Sequence, residues 1–335
     1  MRNETRVAFN VYLAHVATLN GVVTPTQKFN VAPSIEQVLE DRIREQAEFL
    51  GQVNVHPVGQ QTGEKLGLGI GSPVAGRTNT TTTDRTPRNV AALDDQGYAC
   101  VQTNFDTYVT YQQLDAWAKF PDFQTRLRNQ ITQQVGRDRL MIGWHGESAA
   151  QTTDLAANPM LQDVNVGWLK HIRTRSPQRV LSGAKVGAGG DYASYDAAVF
   201  DAMGELLDDW HREAPDLVAI VGRQLLNDKY LALVNSADAP TEHQALSNLL
   251  LSRTMGGRRA ITVPYFPANS ILITAPSNLS IYWQNGTRRR MVQDNPKRDR
   301  IEDYMSVNEA YVVEDYGKCA LLDGILTPDG AGGWA

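Results

Sequence analysis

The most regular pattern of apolar positions in the chain lies between residues 121 and 143. Apolar side chains recur there every fourth residue, at Phe123, Leu127, Ile131 and Val135. This spacing places one narrow apolar stripe on an otherwise polar helix. Pro121 suits the first helical position, because its φ is fixed and its missing N–H needs no partner there. About 20 residues at 1.5 Å per residue give a helix of about 30 Å, which we expect to lie on a sheet.

Two further helices are predicted upstream, with a linker between them. The first covers residues 4–20 and is amphipathic. Residues 22–30 have no periodicity, so we expect a mobile linker. The second helix opens near Ser34, whose side chain forms a capping-box pattern with Gln37 three residues later. Because the second helix has its own cap, the first is predicted to be a separate module on a flexible tether.

Extended chain is predicted between these helices and the long one. Residues 53–58 and 98–111 alternate between apolar and polar side chains, which is typical of strands. Residues 63–97 between them contain few large apolar side chains. A stretch of this length without a core is either disordered or a protruding loop. Glycine alternates with apolar residues over 66–70, which favours a two-stranded arm, and an isolated arm of this kind needs another chain to lie on.

The second half of the chain mixes helix and strand signals. Residues 217–221 are all apolar, which indicates a strand buried on both faces. Further strands are predicted at residues 261–263, 271–273, 279–283 and 310–313. Helices are predicted around residues 166–172, 191–210, 225–234 and 242–251. The fold class that follows is a mixed α/β (α+β) chain with two domains.

Composition excludes several classes of protein. The 335 residues are 42% apolar and carry a net charge of −5, which is ordinary for a globular protein and too acidic for a dedicated nucleic-acid binder. Cys100 and Cys319 are too few for a disulfide framework or a thiolate metal site. The first 21 residues do not resemble a secretory signal, and no apolar run reaches transmembrane length.

No catalytic motif is complete. The segment 146–150 (GESAA) is close to G-x-S-x-G, but a nucleophile elbow follows a strand, whereas a polar helix precedes this one. His145 and Glu147 fit H-x-E of zinc deaminases, yet the P-C-x-x-C part of that site does not occur. Residues 187–190 are glycine-rich without the Lys-Ser/Thr of a phosphate-binding loop. The six histidines lack metal-ligand spacing. We therefore predict no enzyme activity, no cofactor and no metal.

The triplet Arg288, Arg289 and Arg290 is the one basic cluster. It follows the turn signal Asn285-Gly286. A solvated turn, balanced by nearby aspartates, is one interpretation. The other is a contact on an inner face or between subunits, since clustered arginines attract phosphates and carboxylates.

Seven segments, spread in order over nearly the whole chain, resemble the major capsid proteins of peduovirus-type tailed phages. They are residues 1–6 (MRNETR), 63–65 (GEK), 158–164 (NPMLQDV), 189–194 (GGDYAS), 221–226 (VGRQLL), 263–267 (VPYFP) and 311–316 (YVVEDY). The resemblance implies the Hong Kong 97 capsid fold, which has an N-terminal arm, an extended E-loop, a spine helix, a P domain and an A domain.

The resemblance also implies domain boundaries. They are a cleaved, scaffold-like segment at 1–30, an N-arm at 31–52, P-domain strands at 53–111 with the E-loop at about 63–97, the spine helix region at 112–157, the A domain with a return to the P domain at 158–309, and a C-terminal P-domain strand and tail at 310–335.

The implied function is that of a shell subunit. By resemblance, the chain assembles in the host bacterial cytoplasm into pentamers and hexamers, passes through a procapsid and encloses double-stranded DNA in an icosahedral head. Its implied partners are other copies of itself, a scaffold and maturation protease, a portal protein and DNA bound without sequence preference, with no membrane. Cleavage is implied around Phe29 and Asn30.

The implied contacts between subunits lie on the E-loop, at Lys65, Leu66, Leu68 and Ile70. Related folds form a cross-link through an E-loop lysine, whereas an ordinary surface role for Lys65 is the simpler interpretation. Two alternative functions stay open: a hydrolase that uses Ser148 and His145, and a non-specific DNA-binding protein.

Overall fold

A computed structural model describes residues 1–65, 69–70, 75, 77–86, 91–92, 97–117, 123–236, 253–328 and 333–334. The helices in these ranges are α1 (Asn3–Asn20), α2 (Pro33–Gln46), α3 (Tyr111–Trp117), α4 (Phe123–His145), α5 (Trp168–Arg175), α6 (Tyr195–Leu206) and α7 (Arg223–Ser236). Short 3-10 turns occur at Glu48–Gly51, Pro177–Arg179, Pro276–Asn278, Pro296–Arg298 and Tyr316–Lys318.

The strands are short in the first third of the chain and longer towards its end. They are β1 (Phe29–Asn30), β2 (Asn54–Val58), β3 (Thr62–Gly63), β4 (Gly69–Ile70), β5 (Ala91–Ala92), β6 (Tyr98–Ala99), β7 (Val101–Asn104), β8 (Thr107–Thr110), β9 (Val180–Ser182), β10 (Val218–Val221), β11 (Thr254–Met255), β12 (Arg258–Ile261), β13 (Ile271–Thr274), β14 (Leu279–Gln284), β15 (Arg289–Asn295), β16 (Arg300–Val313) and β17 (Ala320–Asp323).

Two sheets organise the molecule. The first sheet has seven strands in the order β1-β15-β16-β14-β2, with β7 and β8 also paired to β16. The second sheet has six strands in the order β11-β12-β10-β13-β17-β9. Its central strands β10 and β13 are buried almost throughout, because apolar side chains cover both faces of the sheet.

The long helix α4 lies between α2 and α5, and its buried end joins the main core. Trp144 of α4 packs edge-on against Trp168 of α5, with 4.9 Å between ring centroids. Phe266 contacts Trp144 on another side at 5.1 Å. The indole N–H of Trp168 donates to the carbonyl of Ser280 on β14 at 2.9 Å, so the ring is satisfied as well as buried. The tryptophans thereby fix α4 and α5 to the first sheet.

The sequence predicted most of the strongly periodic elements correctly. Helices α1, α2, α4 and α7 and strands β2, β10, β13 and β14 lie where the apolar periodicity placed them. The described parts of the arm confirm its two-stranded character, since β3 pairs with β6 and β4 pairs with β5, both antiparallel. Pro121, the helix expected at 242–251 and most of the arm lie outside the described residues.

Two local predictions were wrong. Helix α2 begins with Pro33 at its first position after Ala32, and no side chain caps it; proline is preorganised for this place and needs no N–H partner. The linker at 22–30 is ordered rather than mobile. Val292 N–H donates to the carbonyl of Pro25 at 3.1 Å, and β1 pairs antiparallel with β15.

The chain passes between the two sheets twice after β13, and the domain boundaries expected at 158–309 and 310–335 stay predictions. Strands β14, β15 and β16 belong to the first sheet, so the chain returns to that sheet at Leu279. Strand β17 then goes back to the second sheet, between β13 and β9. Sheet membership depends on hydrogen bonds between segments far apart in sequence, which local periodicity does not reveal.

Close packing of α4 on α5 generates a stability prediction. A methyl group added at Gly143 of α4 would lie 2.5 Å from Cε3 and 2.9 Å from Cη2 of Trp168. Gly143→Ala should therefore lower the free energy of unfolding by about 1–3 kcal/mol through overpacking. The measurement is the thermal or denaturant midpoint of the uncleaved soluble subunit.

The control for this prediction is Gly204→Ala in α6, where an added methyl group meets no atom within 4 Å. This change should raise the free energy of unfolding by about 0.5–1 kcal/mol, because alanine loses less backbone entropy in a helix. Equal midpoints for the two variants would show that α4 and α5 are not packed as described.

Candidate functional site

Five charged side chains lie buried where α2, α4, β16 and the turn before β15 meet. They form what we call the buried charge cluster: Glu36, Glu40, Arg139, Arg288 and Glu309. Arg139 and Arg288 are both 0% exposed. Burying a charge is costly unless it is paired and hydrogen-bonded, so the contacts within the cluster decide whether this region can fold.

Arg139 makes the most complete set of contacts. Its Nη1 and Nη2 donate to the two carboxylate oxygens of Glu40 at 2.6 and 2.9 Å. Its Nε and Nη2 donate to Oε1 of Glu309 at 3.1 and 2.5 Å. Such paired, charge-assisted bonds match the planar geometry of the guanidinium group. Arg139 therefore connects α4 to both α2 and β16.

Arg288 makes the second connection. Its guanidinium bonds Glu40, and its Nε lies 3.4 Å from Oε1 of Glu36. Glu36 and Glu40 are one helical turn apart on α2, so both face the same way. Both arginines thus pair with glutamates of α2, Arg139 from α4 and Arg288 from the turn before β15. These pairs fix α2 to the rest of the molecule.

Electrostatics differ between the two glutamates of α2. Burial raises the pKa of Glu36, and this effect outweighs the attraction of Arg288. Burial acts in the same sense on Glu40, but the charges of Arg139 and Arg288 together hold the pKa of Glu40 below its ordinary value. Glu40 is therefore the stably ionised centre of the cluster, between two guanidinium groups.

Helix α1, which precedes α2, is held by contacts nearer the surface. The backbone N–H of Arg2 and the hydroxyl of Thr5 donate to Asp115 at 2.9 and 2.6 Å. Arg6 forms an ion pair with Asp294 on β15. These contacts join partly exposed groups, and exposed ion pairs contribute little to stability.

Tyr12 makes the inward polar contact of α1. Its hydroxyl accepts a hydrogen bond from Nη2 of Arg290 at 2.7 Å, and Arg290 also pairs with Asp303 at 2.6 Å. Between α1, α4 and the first sheet lies a largely apolar cavity of about 550 Å³, bordered by residues such as Phe9 and Ile131. Helix α1 is therefore attached at points rather than packed along its whole length.

The chain between α1 and α2 is held mainly by backbone bonds and a small apolar cluster. In β1, Phe29 pairs with Arg290 and Asn30 with Arg289. Val31 N–H then donates to the carbonyl of Arg288 at 2.9 Å. The side chain of Phe29 is 9% exposed and packs with Val16 and Val31.

The structure separates the three arginines that the sequence grouped together. Arg288 is buried in the charge cluster, Arg290 is paired with Asp303 and Tyr12, and Arg289 alone is exposed. The interpretation of a single basic surface cluster is therefore corrected, because acidic side chains neutralise two of the three charges. Arg288 pairs with Glu40 on α2, 248 residues away, and Arg290 pairs with Asp303 on β16, 13 residues away.

The E-loop residues are only partly described. The Nζ of Lys65 lies 4.2 Å from the centroid of the Tyr316 ring, a cation–π contact within the same chain. Ile70 belongs to β4 through its backbone, and its side chain lies outside the described residues. Leu66 and Leu68 also lie outside them.

The hydrolase candidates do not form a catalytic pair. Nε2 of His145 lies 2.7 Å from the carbonyl oxygen of Tyr265, and the exposed Ser148 makes its backbone contact to Gln162. No hydrogen bond joins Ser148 to His145, although both residues are described. Among the described residues, no group of three or more metal-ligating side chains converges, and no helix is long and apolar enough to span a membrane.

The sequence did not single out Arg139, Glu40 or Glu309 as site residues. Arg139 is the next position of the apolar repeat after Val135, so it lies on the side of α4 that becomes buried. Its partners are 99 and 170 residues away, and the sequence does not show that they meet it. A second signal was the pair Glu36 and Glu40 at helical spacing beside apolar residues of α2.

A two-stranded arm, a long helix on one sheet and a second sheet with apolar central strands are arranged here as in the Hong Kong 97 capsid fold, the fold of tailed-phage shell proteins. Residues 8–325 match the family described as phage major capsid protein, P2 family. The chain belongs to this family of major capsid proteins.

Individual relatives agree with this assignment. The chain is 44% identical to the capsid protein of Escherichia phage P2, over 98% of this chain and 96% of the relative. It is 38% identical to the major capsid protein of Serratia phage KSP20, with 97% of each chain covered. Its structure resembles that of a subunit in the procapsid of satellite phage P4 with its size determination protein, at 42% identity and a TM-score of 0.82, with 98% of this chain and 99% of that one covered.

The charge cluster generates the second prediction. Arg139→Met should lower the free energy of unfolding by about 3–5 kcal/mol, because Glu40 and Glu309 would lose a buried partner. Arg137→Met, on an exposed position of the same helix, should change it by less than about 0.5 kcal/mol. Denaturant midpoints of the uncleaved subunit measure both, and a similar loss in the two variants would contradict the described burial.

The same pair of variants predicts a pH dependence. In the wild type, the lowered pKa of Glu40 gives stability that is present above its ordinary value of 4.5 and is lost as the pH falls through the folded pKa. Without Arg139, burial disfavours ionised Glu40, so the deficit of Arg139→Met should be largest near neutral pH and shrink below about pH 4.5. The raised pKa of Glu36 has the opposite effect: its contribution to stability is present at low pH and is lost as the pH rises. Glu36 is present in both the wild type and Arg139→Met, so its contribution does not produce the difference between them. A deficit that grows on acidification would count against this account.

Proposed function

We propose that this capsid protein assembles into pentamers and hexamers that close into an icosahedral head around double-stranded DNA. We propose further that the segment up to about Phe29 is removed as the head matures. The observation that carries the proposal is the contrast at the N terminus. Residues before Val31 are held by surface contacts and a short strand, whereas α2 is held by the buried charge cluster.

Assembly is supported by the apolar surface that the single chain leaves exposed. Phe200 on α6 is 72% exposed, and Trp210 in the following segment is 63% exposed. Large exposed apolar side chains mark contact sites between proteins. Both belong to the part of the chain around the second sheet, which we assign to the axial domain. Heterologous contacts made there by neighbouring copies close into rings.

We assign the first sheet with α4 to the peripheral domain and the described strands β3 to β6 to the base of the E-loop. Lys65, at the start of that loop, contacts Tyr316 of its own chain, which ties the base of the arm to the body. The arm beyond it would then reach a neighbouring subunit, through Leu66, Leu68 and Ile70. A two-stranded arm that stands alone in water is only marginally stable, so contact with a second chain would stabilise it.

Removal of the N-terminal segment would change the charge of the shell. Residues 1–29 contain Arg2, Arg6 and Lys28 against Glu4, so they carry a charge of +2, and the whole chain carries −5. The remaining subunit would carry −7. A more acidic wall repels phosphates, so packaged DNA would be held loosely and without sequence preference.

The other partners follow from the same proposal. A precursor shell is supported by the P4 relative, whose structure is that of a procapsid. A maturation protease would make the cut, a scaffold would guide assembly and a portal protein would admit the DNA. Neither alternative function gains support. The basic triplet that suggested DNA binding is largely neutralised within the chain, and His145 and Ser148 are not paired.

The third prediction concerns assembly. Phe200→Ser should abolish or strongly reduce shells. It should change the free energy of unfolding of the isolated subunit by less than about 0.5 kcal/mol, because an exposed side chain contributes little to folding. Glu205→Ser, an exposed polar position on the same helix, is the matched control and should assemble normally. Electron microscopy and sizing of the expressed protein measure shell yield. Wild-type yield from Phe200→Ser would remove this surface from the assembly contacts.

The fourth prediction concerns maturation. Subunits from DNA-filled heads should begin at about residue 30, whereas subunits from precursor shells should begin at the N-terminal residue. Intact-mass spectrometry of both kinds of particle measures this directly. Intact subunits in DNA-filled heads would exclude the cleavage. Subunits that begin within α2 would contradict the proposed site, because the cut would then fall in the helix that the buried charge cluster fixes to the body.

A further inference from the structure

The bond proposed to be cut lies inside the first sheet. Phe29 and Asn30 form β1, with Cα partners Arg290 and Arg289 on β15. Val31 N–H extends the ladder to the carbonyl of Arg288, and Phe29 is buried on Val16 and Val31. A protease needs a length of chain in extended form with free backbone groups. Here one edge of that chain is occupied by β15.

The accessible chain lies a few residues upstream. Val23 is 96% exposed, and residues 26–28 are also exposed. Exposure is therefore interrupted at Phe29, the residue before the bond that the resemblance marks for cleavage, while Asn30 exposes its side chain and pairs its backbone with β15. Protection at Phe29–Asn30 is local, and only local opening can remove it.

The N-terminal segment is built to open without the rest of the chain. Strand β1 has two residues and lies at the edge of its sheet, so few bonds hold it. The apolar contact between Phe29 and Val16 links it to α1. Beyond it, Glu36 and Glu40 fix α2 in the buried charge cluster. Opening therefore ends at Pro33, where α2 begins.

We propose that pairing of β1 with β15 protects the Phe29–Asn30 bond, and that α1 regulates this protection through the packing of Val16 on Phe29. Cleavage then requires α1 and β1 to leave the body together, so the state of α1 controls when maturation can begin. The regulatory role rests on the proposed removal of the N-terminal segment. The protection itself does not, because it is a property of the uncleaved chain and any protease reports it.

The first test uses thermolysin, which cuts before large apolar residues, on the purified full-length subunit. Cutting at the Lys28–Phe29 bond reports opening of β1. Cutting at the Asp154–Leu155 bond is an internal reference, because Leu155 is 66% exposed in the loop between α4 and α5. When opening is fast and reversible, the cutting rate follows the open population. Mass spectrometry of early time points separates the two products.

Val16→Ala weakens the packing on Phe29 without changing the residues near the cut. The loss of buried methyl groups should speed cutting before Phe29 about fivefold relative to the reference bond. Val11→Ala is the matched control, since Val11 is exposed on the opposite side of the same helix. It should leave the ratio of the two cuts unchanged. Equal ratios in Val16→Ala and Val11→Ala would show that α1 does not regulate β1.

The second test locks the strand in place. Asn30 and Arg289 are direct partners across the ladder, and both are exposed, so a double variant Asn30→Cys with Arg289→Cys can form a disulfide at an ordinary separation. The native Cys100 and Cys319 are buried and free and do not compete. Asn30→Cys alone, treated with the same oxidant, controls for the substitution near the cut.

The oxidised double variant should be cut before Phe29 at least about tenfold more slowly than the same protein after reduction and removal of the reductant, while cutting before Leu155 stays constant. Equal rates before and after reduction would overturn the protection, and failure of the disulfide to form would show that β1 is not paired as described. Heads whose subunits keep residues 1–29 would refute the proposed maturation instead, and would leave both proteolysis results intact.

Discussion

Two guanidinium groups and three carboxylates are buried together in this subunit, and the positions of α2, α4 and the first sheet depend on their pairing. Each charge is acceptable only because an opposite charge lies against it. The pairing fixes α2 on α4 and fixes both on the first sheet, through Arg139, Arg288 and Glu309. Apolar contacts add cohesion around the cluster, but the charges restrict the relative position of these elements, because a displaced element would leave a buried charge without its partner.

This arrangement gives the N terminus two regions of different strength. Residues after Pro33 are attached through buried, charge-assisted bonds that solvent does not screen. Residues before Val31 are attached through partly exposed groups such as Arg6 and Asp294, through a two-residue strand and across an apolar cavity. The contacts that fix α2 to the body, through Glu36 and Glu40, involve no residue of the first region. That is the property a shell protein needs if it is to lose its N-terminal segment after assembly.

The sequence was sufficient for elements whose apolar pattern is local. Helix α4 and strands β10 and β13 were predictable because the repeat every fourth residue, or the unbroken apolar run, is visible in one window. Strand β15 and the first half of β16 were not. Their sequences are rich in charge, and they are strands because Arg290 faces Asp303 across the ladder while the long strand β16 is shared by β7, β8, β14 and β15.

The candidate site was missed for the same reason. Arg139 continues the apolar repeat of α4 and Arg137 does not, but the sequence does not show which acidic side chains, 99 and 170 residues away, pair with the buried charge. Resemblance to a family supplied the fold and the function without identifying this cluster, since it transferred whole elements rather than contacts. The pairing of β1 with β15 was likewise not predictable, because residues 22–30 show no apolar periodicity. Their backbone bonds are made to Arg289, Arg290 and Val292, which are far away in sequence.

The distribution of polar and apolar groups finally explains why one chain is not the complete unit. The subunit buries five charged side chains, and it leaves the large apolar side chains of Phe200 and Trp210 exposed. Internal charges specify one geometry, because a displaced charge loses its partner. External apolar side chains provide a non-directional attraction that is roughly proportional to the area covered. A shell built from many copies of one chain needs both properties at once: subunits of fixed shape, and contacts that tolerate small differences in how neighbouring copies meet.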